Sequence, residues 1–548
     1  MRVTEAVAAT LAGLGADTVF GVVGSGNFHV TNALVRQGAR YIAARHEGGA
    51  ACMADGWART AGRTGVLTVH QGPGLTNAVT GITEAAKSRT PLLVLTADVA
   101  AAAVRSNFRI DVAGLASAVG AVPERLHSPA SAAADTARAY HTAAKQRRTV
   151  LLAMPLDVQG GDCDRQPPPA GPVLGPVAPA ADAADALAAQ LALARRPVFV
   201  AGRGARVARA GPDLERLAGA CGALLATSAA ARGLFRGNPW DLDVSGGFAS
   251  PLAAELISAA DLIVGWGCSL NMWTMRSGTL IGPETTVVQV DDDQAAIGAH
   301  RPVHLGVLGD VAETARAALA ALGDRFGSGL GYRTGEVRER IAREVRWRDV
   351  PYSDESGNGL IDPRTLTIAL DDMLPVQRTV SVDSGNFMGY PSMYLAVPDA
   401  DAFCFTQAYQ SIGLGLPSAI GAAIARPDRL TVAALGDGGA LMAVSELETV
   451  VRLGLPMLIV IYDDEAYGAE VHHFGPDGHP LDTVRFPPAD LAGISRGFGC
   501  DGVTVRSLAD LGPVRDWLDG PRERPMLVDA KITSSRGAWW LEEAFRGH

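Results

Sequence analysis

Two aspartates that follow apolar runs, Asp437 and Asp464, are the first candidates for chemistry in this chain. Asp437 lies in the glycine-rich turn GDGG after the run LTVAALG, and Asp464 ends the run MLIVIYDD, 27 positions later. Carboxylate oxygens suit Mg²⁺, which takes a few protein oxygens and completes its octahedral shell with phosphate and water. The glycines leave backbone N–H groups uncovered at a predicted helix N-terminus, which favours anions. The pattern therefore predicts a Mg²⁺ site beside a bound diphosphate.

The segment between the two aspartates explains how they can meet. Residues 430–468 read as strand, glycine-rich turn, helix, Leu-Pro break, strand and acidic turn, which is one βαβ unit. The right-handed crossover returns the chain to the same sheet, so both strands end at one edge. We expect both carboxylates to reach a single cation.

This segment resembles the thiamine-diphosphate motif, in which GDG is followed some 27 residues later by a polar pair and then Tyr-Gly. The resemblance implies that Asp437, Asp464 and the Ala466 carbonyl bind Mg²⁺. The family usually has Asn-Asn where this chain has Asp463-Asp464, which changes the charge of the site. The cofactor-binding residues implied within this segment are Gly438, Gly439 and Tyr467.

A stretch near the N-terminus, YIAARHEGGAACMADGWAR, resembles the part of these enzymes that carries the glutamate at N1′ of the cofactor. The matching residue is Glu47. By resemblance, its carboxyl group helps the pyrimidine ring shift to the imino tautomer, so that the cofactor's own 4′-amino group takes the proton from thiazolium C2. Glu47 is therefore expected to be both catalytic and cofactor-binding.

Two more stretches match residues that surround the cofactor in this family. In FTQAYQSIGLGLPSAIGAA, Ile412 matches the bulky apolar residue beneath the bent cofactor, and Gln410 is placed to accept from the 4′-amino group through its carbonyl. In DSGNFMGY, Gly385 and Asn386 match the loop that touches the diphosphate. Taken alone, Ile412 would be interpreted as a core residue.

Four residues are candidates for handling the substrate. Ser25 in FGVVGSGNFH and His70 in VHQGPG are similar to active-site residues of benzoylformate decarboxylase, and both can bind a carboxylate or move protons. His472 and His473 follow the acidic turn, where this family has residues at the substrate mouth. Single histidines are more often structural, and that alternative stays open for all three.

Two breaks in composition, one Pro-rich near 165–178 and one Gly-rich and charged near 327–360, predict an α/β chain of three consecutive domains with parallel sheets, an order that the resemblance also implies. Short apolar runs alternate with Ala-rich amphipathic stretches, which is typical of parallel α/β layers. The first and third domains are expected to have the thiamine-diphosphate-binding fold and the middle one a Rossmann-like fold. We predict a pyrimidine-binding domain at 1–164, a Pro-rich linker at 165–180, a middle domain at 181–326, a linker at 327–360 and a diphosphate-binding domain at 361–548.

Composition and charge limit the classes of binding partner that this chain is expected to have. The net charge is −10 and no long Lys/Arg run occurs, which argues against nucleic acid and anionic membranes and favours a small-molecule substrate. Six cysteines are scattered singly, without zinc-site spacing, and the N-terminus has no signal-peptide pattern. We expect a cytoplasmic protein that does not enter a membrane.

The resemblance covers essentially the whole chain and matches the acetolactate synthase, benzoylformate decarboxylase and pyruvate decarboxylase group. It implies a carboligase or lyase in which decarboxylation of a 2-oxo acid gives a C2-bound enamine that adds to a second carbonyl compound. The first alternative is a benzoylformate-decarboxylase-like enzyme that releases an aldehyde, and the second is a catalytically silent regulatory paralogue.

The same resemblance bears on partners and a second cofactor. In this family the site lies between the first domain of one subunit and the third of another, so a homodimer or homotetramer is expected. The middle stretch AGRGARVARAG lacks the third glycine of a dinucleotide motif. Some relatives bind FAD or ADP in this domain, so FAD is an alternative, although we do not expect it.

Overall fold

A computed structural model describes residues 1–164, 174–323 and 331–544. Residues 165–173 and 327–330 of the two predicted linkers, residues 324–326 at the end of the predicted middle domain and the C-terminal residues 545–548 lie outside this description. The domain boundaries therefore remain predictions.

The first domain is a parallel six-stranded sheet in the order β2-β1-β3-β4-β6-β5, with helices on its faces. Its apolar strands are buried along their length, as strands covered on both faces should be. The strands are β1 (Thr18–Gly21), β2 (Arg40–Ala43), β3 (Gly65–Val69), β4 (Leu92–Asp98), β5 (Val122–Arg125) and β6 (Thr149–Pro155), and the helices are α1 (Val3–Gly13), α2 (Phe28–Arg36), α3 (Glu47–Ala61), α4 (Pro73–Lys87), α5 (Val112–Ala118), α6 (Ala132–Gln146) and α7 (Leu156–Gln159).

The middle domain has a parallel sheet in the order β12-β11-β10-β7-β8-β9, in which the strand order reverses between β10 and β7. This is the doubly wound arrangement of a Rossmann-like domain. Its strands are β7 (Pro197–Ala201), β8 (Leu224–Thr227), β9 (Asp241–Val244), β10 (Leu262–Trp266), β11 (Thr286–Asp291) and β12 (Leu305–Leu308), and its helices are α8 (Ala181–Leu193), α9 (Arg203–Val207), α10 (Gly211–Cys221), α11 (Pro251–Ser258) and α12 (Val311–Leu322). The charged stretch that follows contains α13 (Gly335–Glu344).

The third domain repeats the strand order of the first, as β14-β13-β15-β16-β18-β17. Its strands are β13 (Arg378–Val382), β14 (Phe403–Phe405), β15 (Leu430–Gly436), β16 (Met457–Asp463), β17 (Asp501–Val505) and β18 (Met526–Lys531). Its helices are α14 (Pro363–Met373), α15 (Gly389–Tyr394), α16 (Gly415–Ala425), α17 (Asp437–Met442), α18 (Glu446–Arg452), α19 (Gly468–Phe474), α20 (Leu491–Phe498), α21 (Gly512–Asp519) and α22 (Trp539–Ala544). The expected α/β class with three parallel sheets is confirmed.

The first and third domains share one core because α3 packs on α16. Their backbones approach closely at two glycines: a Cβ on Gly56 would lie 2.4 Å from the Ser418 carbonyl oxygen, and one on Gly421 would lie 2.0 Å from that of Met53. Apolar side chains of both domains, including Trp57 and Ile420, form one buried cluster. The two domains are therefore packed as one unit. None of the helices within the described ranges has the length and apolar character that crossing a membrane requires.

Candidate active site

The two aspartates meet at one edge of the third sheet. Strands β15 and β16 are adjacent and parallel, and Asp437 and Asp464 each directly follow one of them. Both line a single cavity of about 1070 Å³. The pKa of Asp437 is raised to about 8, mainly by burial and then by the charges of Asp464 and Asp463. The pKa of Asp464 is raised to about 7 by burial and by the charge of Asp463. Two buried carboxylates that oppose each other's ionisation are a donor set that a divalent cation would satisfy.

Glycines shape the surface next to these carboxylates. A Cβ on Gly438 would lie 2.6 Å from the Tyr467 ring, and a Cβ on Gly439 would lie 2.4 Å from Oδ2 of Asp383. Any side chain at these two positions would clash with Tyr467 or Asp383, so only glycine fits and the turn presents bare backbone to the cavity. The other predicted residues of this half also line the cavity, namely Gly385, Asn386, Gln410, Ile412 and Ala466.

Asp383 connects the loops that surround this cavity, and the sequence analysis missed it. Its carboxylate is fully buried and accepts from the backbone N–H groups of Ser384 at 2.8 Å, Gly413 at 2.9 Å and Leu414 at 3.2 Å. Burial raises its pKa to about 6. One side chain thus fixes the Gly385 loop to the Ile412 loop. Its only signal in the sequence is its position directly after the run that forms β13.

The departure from Asn-Asn has a structural explanation. Asp463 is 3% exposed and points to Lys531, whose ammonium group donates to its Oδ2. Lys531 also donates to the Ala489 carbonyl at 3.1 Å and lies 3.3 Å from Asp529. Lys531 therefore offsets part of the charge of Asp463, one of the two carboxylates that replace the Asn pair, and Asp464 is the one that lines the cavity. The sequence analysis did not identify Lys531 because it is 68 positions away.

The loop after β14 contains unsatisfied polar atoms. Both the Nε2 and Oε1 atoms of Gln407 are buried without a hydrogen-bond partner, and this residue lines the cavity. Gln410 has φ 59°, a left-handed conformation that only a few per cent of non-glycine residues adopt. A buried amide group at a cavity wall that has no hydrogen-bond partner within the chain can bind a polar ligand.

Glu47 lies in the first domain as the first residue of α3. The turn before it is capped by His46, whose Nδ1 accepts from the Gly48 N–H at 3.0 Å. Asn77, on α4, donates to the Glu47 carboxylate at 3.0 Å, a contact that nothing in the sequence indicated. The carboxylate is half-buried, so one side of it remains accessible to a ligand.

Ser25 and His70 are brought together. The Ser25 hydroxyl lies 3.2 Å from Nε2 of His70, and His70 Nδ1 lies 2.8 Å from the Gln71 carbonyl oxygen. A carbonyl only accepts, so Nδ1 donates, and in the neutral ring Nε2 accepts from Ser25. A Cβ on Gly24 would lie 2.1 Å from the His70 ring, which explains the glycine turn before Ser25. The pair can pass a proton between hydroxyl and imidazole.

The described chain holds these residues in three separate places. Glu47, Ser25 and His70 do not line the cavity that contains Asp437. His472 and His473 line a second cavity of about 810 Å³, together with Trp347, Tyr394 and other residues. Burial and the charge of Arg485 lower the pKa of His472. Within the described ranges, no group of three or more His, Cys, Asp or Glu side chains is arranged to hold a metal.

The described chain thus combines two α/β domains of the same strand order with a cavity that holds two buried carboxylates beside a glycine turn. Models of the thiamine pyrophosphate enzyme family match at residues 1–116 (N-terminal TPP binding domain), 184–318 (central domain) and 383–530 (C-terminal TPP binding domain). The chain belongs to the thiamine pyrophosphate enzyme family, and it is an enzyme of the kind that transforms carbon–carbon bonds.

Three relatives with different activities are similar over most of their length. The chain is 30% identical to a sulfoacetaldehyde acetyltransferase of Rhodobacter capsulatus, over 99% of this chain and 97% of the relative. It is 30% identical to a probable 2-ketoarginine decarboxylase of Pseudomonas aeruginosa (92% and 89% covered). It is 29% identical to the acetolactate synthase isozyme 2 large subunit of Escherichia coli (83% and 81% covered).

Proposed function

We propose that this protein is a Mg²⁺- and thiamine-diphosphate-dependent carboligase that decarboxylates a 2-oxo acid and joins the remaining fragment to a second carbonyl compound. The observation that carries this proposal is the meeting of Asp437 and Asp464 in one cavity beside the GDGG turn. When bound, the cofactor supplies a nucleophilic carbon and an electron sink for the loss of CO₂.

In this proposal the residues of the third domain hold the diphosphate end. Asp437, Asp464 and the Ala466 carbonyl would hold Mg²⁺, and the backbone of Gly438 and Gly439 would receive phosphate oxygens. Further contacts to the cofactor are assigned to Gly385, Asn386, Gln410, Ile412 and Tyr467. Glu47 would exchange a proton at N1′, with Asn77 holding its carboxylate in place.

We place the complete site between two subunits, as a homodimer or homotetramer. Support comes from the separation of Glu47 from the acidic cavity within one chain. Large apolar side chains are also exposed around both halves. Phe108, whose ring lies 5.1 Å from that of His70, is 42% exposed, and Phe28, three residues after Ser25, is 52% exposed. Met442, in the helix that begins at the GDGG turn, is 57% exposed. Exposed apolar groups clustered around incomplete sites favour a partner surface.

A decarboxylase that releases an aldehyde is the second candidate. The contact of 3.2 Å between Ser25 and His70 favours it, because this pair can deliver the proton that ends the reaction without a second carbonyl compound. His472 and His473 would take part only if the second cavity opens towards the site. The third candidate, a silent regulatory paralogue, is disfavoured because Glu47 is present.

Product analysis separates these candidates. The holoprotein is incubated separately with pyruvate, with benzoylformate, with sulfoacetaldehyde plus pyruvate, and with 2-ketoarginine. Sulfoacetaldehyde and 2-ketoarginine are included because relatives are named for them. An acyloin product supports the carboligase, and an aldehyde alone supports the decarboxylase. Cofactor binding without turnover of any compound, including a wider panel of 2-oxo acids, would support the silent paralogue.

FAD is not part of the proposal. The middle-domain glycines are explained by packing, because a Cβ on Gly202 would lie 2.3 Å from the Gly267 carbonyl oxygen. A half-buried cation at the same cavity, Arg203, keeps an anionic nucleotide as the alternative; burial of its guanidinium group and neighbouring arginines lower its pKa to about 9. The absorbance of the purified protein near the flavin band decides between FAD and a nucleotide without a flavin.

The cytoplasmic setting is also proposed, on the basis of the six cysteines, which are all free thiols.

A further inference from the structure

Two buried carboxylates connect the first and third domains at the loops that precede the proposed cofactor contacts. We propose that Glu446 and Glu84 are positioning residues, each of which holds, in the opposite domain, the loop that presents a group to the cofactor. This inference rests on the proposed function for the identity of that ligand. The contacts themselves are independent of it.

Glu446 belongs to α18 of the third domain and is 1% exposed. Its Oε1 atom accepts from the backbone N–H groups of Arg45 and His46, both at 3.1 Å, and its Oε2 atom accepts from the Thr449 hydroxyl at 2.7 Å. Arg45 and His46 immediately precede Glu47. Because backbone N–H groups cannot rotate away as side chains do, these bonds fix where the chain enters α3 and therefore where Glu47 starts.

The space around this contact is just large enough for it. A Cβ on Gly49 would lie 2.4 Å from Oε1 of Glu446, so any larger residue at this position would displace the carboxylate. Gly49 lies on the first turn of α3, two residues after Glu47. The contact can thus be disrupted from either domain, by changing Glu446 or by changing Gly49.

Glu84 makes the reciprocal contact from α4 of the first domain. It is 1% exposed, and it accepts from the backbone N–H groups of Ala408 at 3.2 Å and Tyr409 at 2.7 Å. These two residues immediately precede Gln410 and lie three to four positions before Ile412. Its charge is balanced by Arg59, which donates to it at 2.8 Å.

The two contacts are equivalent in topology. Glu84 lies on the helix after β3, and Glu446 begins the second helix after β15, the strand with the same place in the third sheet. A carboxylate that only stabilised the domain contact could bond any exposed polar group. Both carboxylates instead accept from two consecutive N–H groups directly before a proposed cofactor contact, which is the arrangement that transmits position.

The test for Glu446 uses four variants. Glu446→Ala and Gly49→Ala remove the contact by different routes, whereas Glu446→Gln keeps an oxygen that accepts from both N–H groups. Glu448→Ala is the matched control, because Glu448 lies on the same helix and contacts the Arg45 side chain rather than a backbone N–H. Thermal unfolding of each variant identifies any general loss of stability.

Three readouts are measured: amide hydrogen exchange at residues 45–48 in the apoprotein, calorimetric affinity for thiamine diphosphate with Mg²⁺, and exchange of the C2 proton of the bound cofactor. For Glu446→Ala and Gly49→Ala we expect amide exchange at least about tenfold faster, C2 exchange about 10²-fold slower, and affinity changed by less than about threefold. Glu446→Gln and Glu448→Ala should behave like the parent protein.

The inference would be overturned if the bound cofactor exchanged its C2 proton as fast in Glu446→Ala as in the parent protein. It would also be overturned if Glu446→Gln slowed that exchange as much as Glu446→Ala. If Glu446→Ala does not fold, Gly49→Ala and Glu446→Gln decide by the same criteria. If the parent protein takes up no cofactor, the proposed function fails, and the amide readout in the apoprotein still decides whether Glu446 holds the turn. The corresponding test of Glu84 measures amide hydrogen exchange at Ala408 and Tyr409. We expect faster exchange in Glu84→Ala and parent-like exchange in Glu84→Gln.

Discussion

The Asn77 side chain donates a hydrogen bond of 3.0 Å to the Glu47 carboxylate, and the two residues lie near the starts of neighbouring helices, α4 and α3. This bond leaves the second carboxylate oxygen of Glu47 for a ligand. It also fixes the direction in which that oxygen points. The first prediction follows from this arrangement.

Glu47→Gln should lower kcat by about 10²–10⁴-fold, because an amide cannot exchange a proton with N1′ of the cofactor. The affinity for Mg²⁺ and the diphosphate cofactor should change by less than about threefold, since these bind in the other half of the site. Steady-state kinetics and calorimetry measure both. Glu124→Gln, a surface residue paired with Arg138, is the control. Unchanged turnover in Glu47→Gln would refute the assigned role.

Asp437→Asn should abolish Mg²⁺-dependent cofactor binding and yet stabilise the apoprotein. The raised pKa of Asp437, about 8, means that ionising it in the folded state is unfavourable. An acid whose pKa is higher in the folded than in the unfolded state costs stability as the pH rises from the unfolded towards the folded value. The gain in the variant should therefore grow between about pH 4 and pH 8, reach about 1–3 kcal/mol and level off above pH 8. Denaturant unfolding of apoprotein at several pH values measures it. Asp477→Asn, at an exposed position, should show no such trend.

Lys531→Met should destabilise the protein by about 3–5 kcal/mol, because it leaves the buried carboxylates of Asp463 and Asp529 without their shared partner. Asp463→Asn in the same chain should recover at least half of that loss. A double-mutant cycle by denaturant unfolding gives the coupling. Equal losses in the single and double variants would show that Lys531 does not act through Asp463.

Ser25→Ala and His70→Ala should each lower turnover, and the double variant should be no slower than the worse of the two, because the residues act as one hydrogen-bonded pair. A loss of about tenfold or more in each single variant is expected. The exposed histidine of the next helix, His29, provides the control variant His29→Ala. Effects of the two substitutions that multiply in the double variant would argue against a shared proton path.

The fold could be predicted from the sequence because its central strands are apolar throughout. Runs such as PLLVLTAD and MLIVIYDD are β4 and β16 in the structure. Strands at sheet edges were not predicted, for example β5, whose sequence VPER alternates partly buried and exposed positions and contains a proline. Short edge strands depend on their neighbour for pairing, and that neighbour is distant in the sequence.

The site was predictable where spacing within one βαβ unit fixes geometry, as for Asp437 and Asp464. It was not predictable where a contact depends on packing between domains or distant strands. Lys531 pairs with Asp463 across adjacent strands, Glu446 contacts residues 400 positions away, and Asp383 connects loops through backbone N–H groups that any residue supplies. His472 and His473 line a second cavity, whereas the first residues of the same helix, α19, line the acidic one, so their expected role at the substrate mouth stays a prediction.

Calorimetric titration of stripped apoprotein with thiamine diphosphate, with Mg²⁺ present and then with a chelator, tests the central claim most directly. The account predicts saturable binding of about one cofactor per chain that needs Mg²⁺ and is lost in Asp437→Asn. Absence of binding with Mg²⁺ present, or equal binding in the chelator, would contradict it.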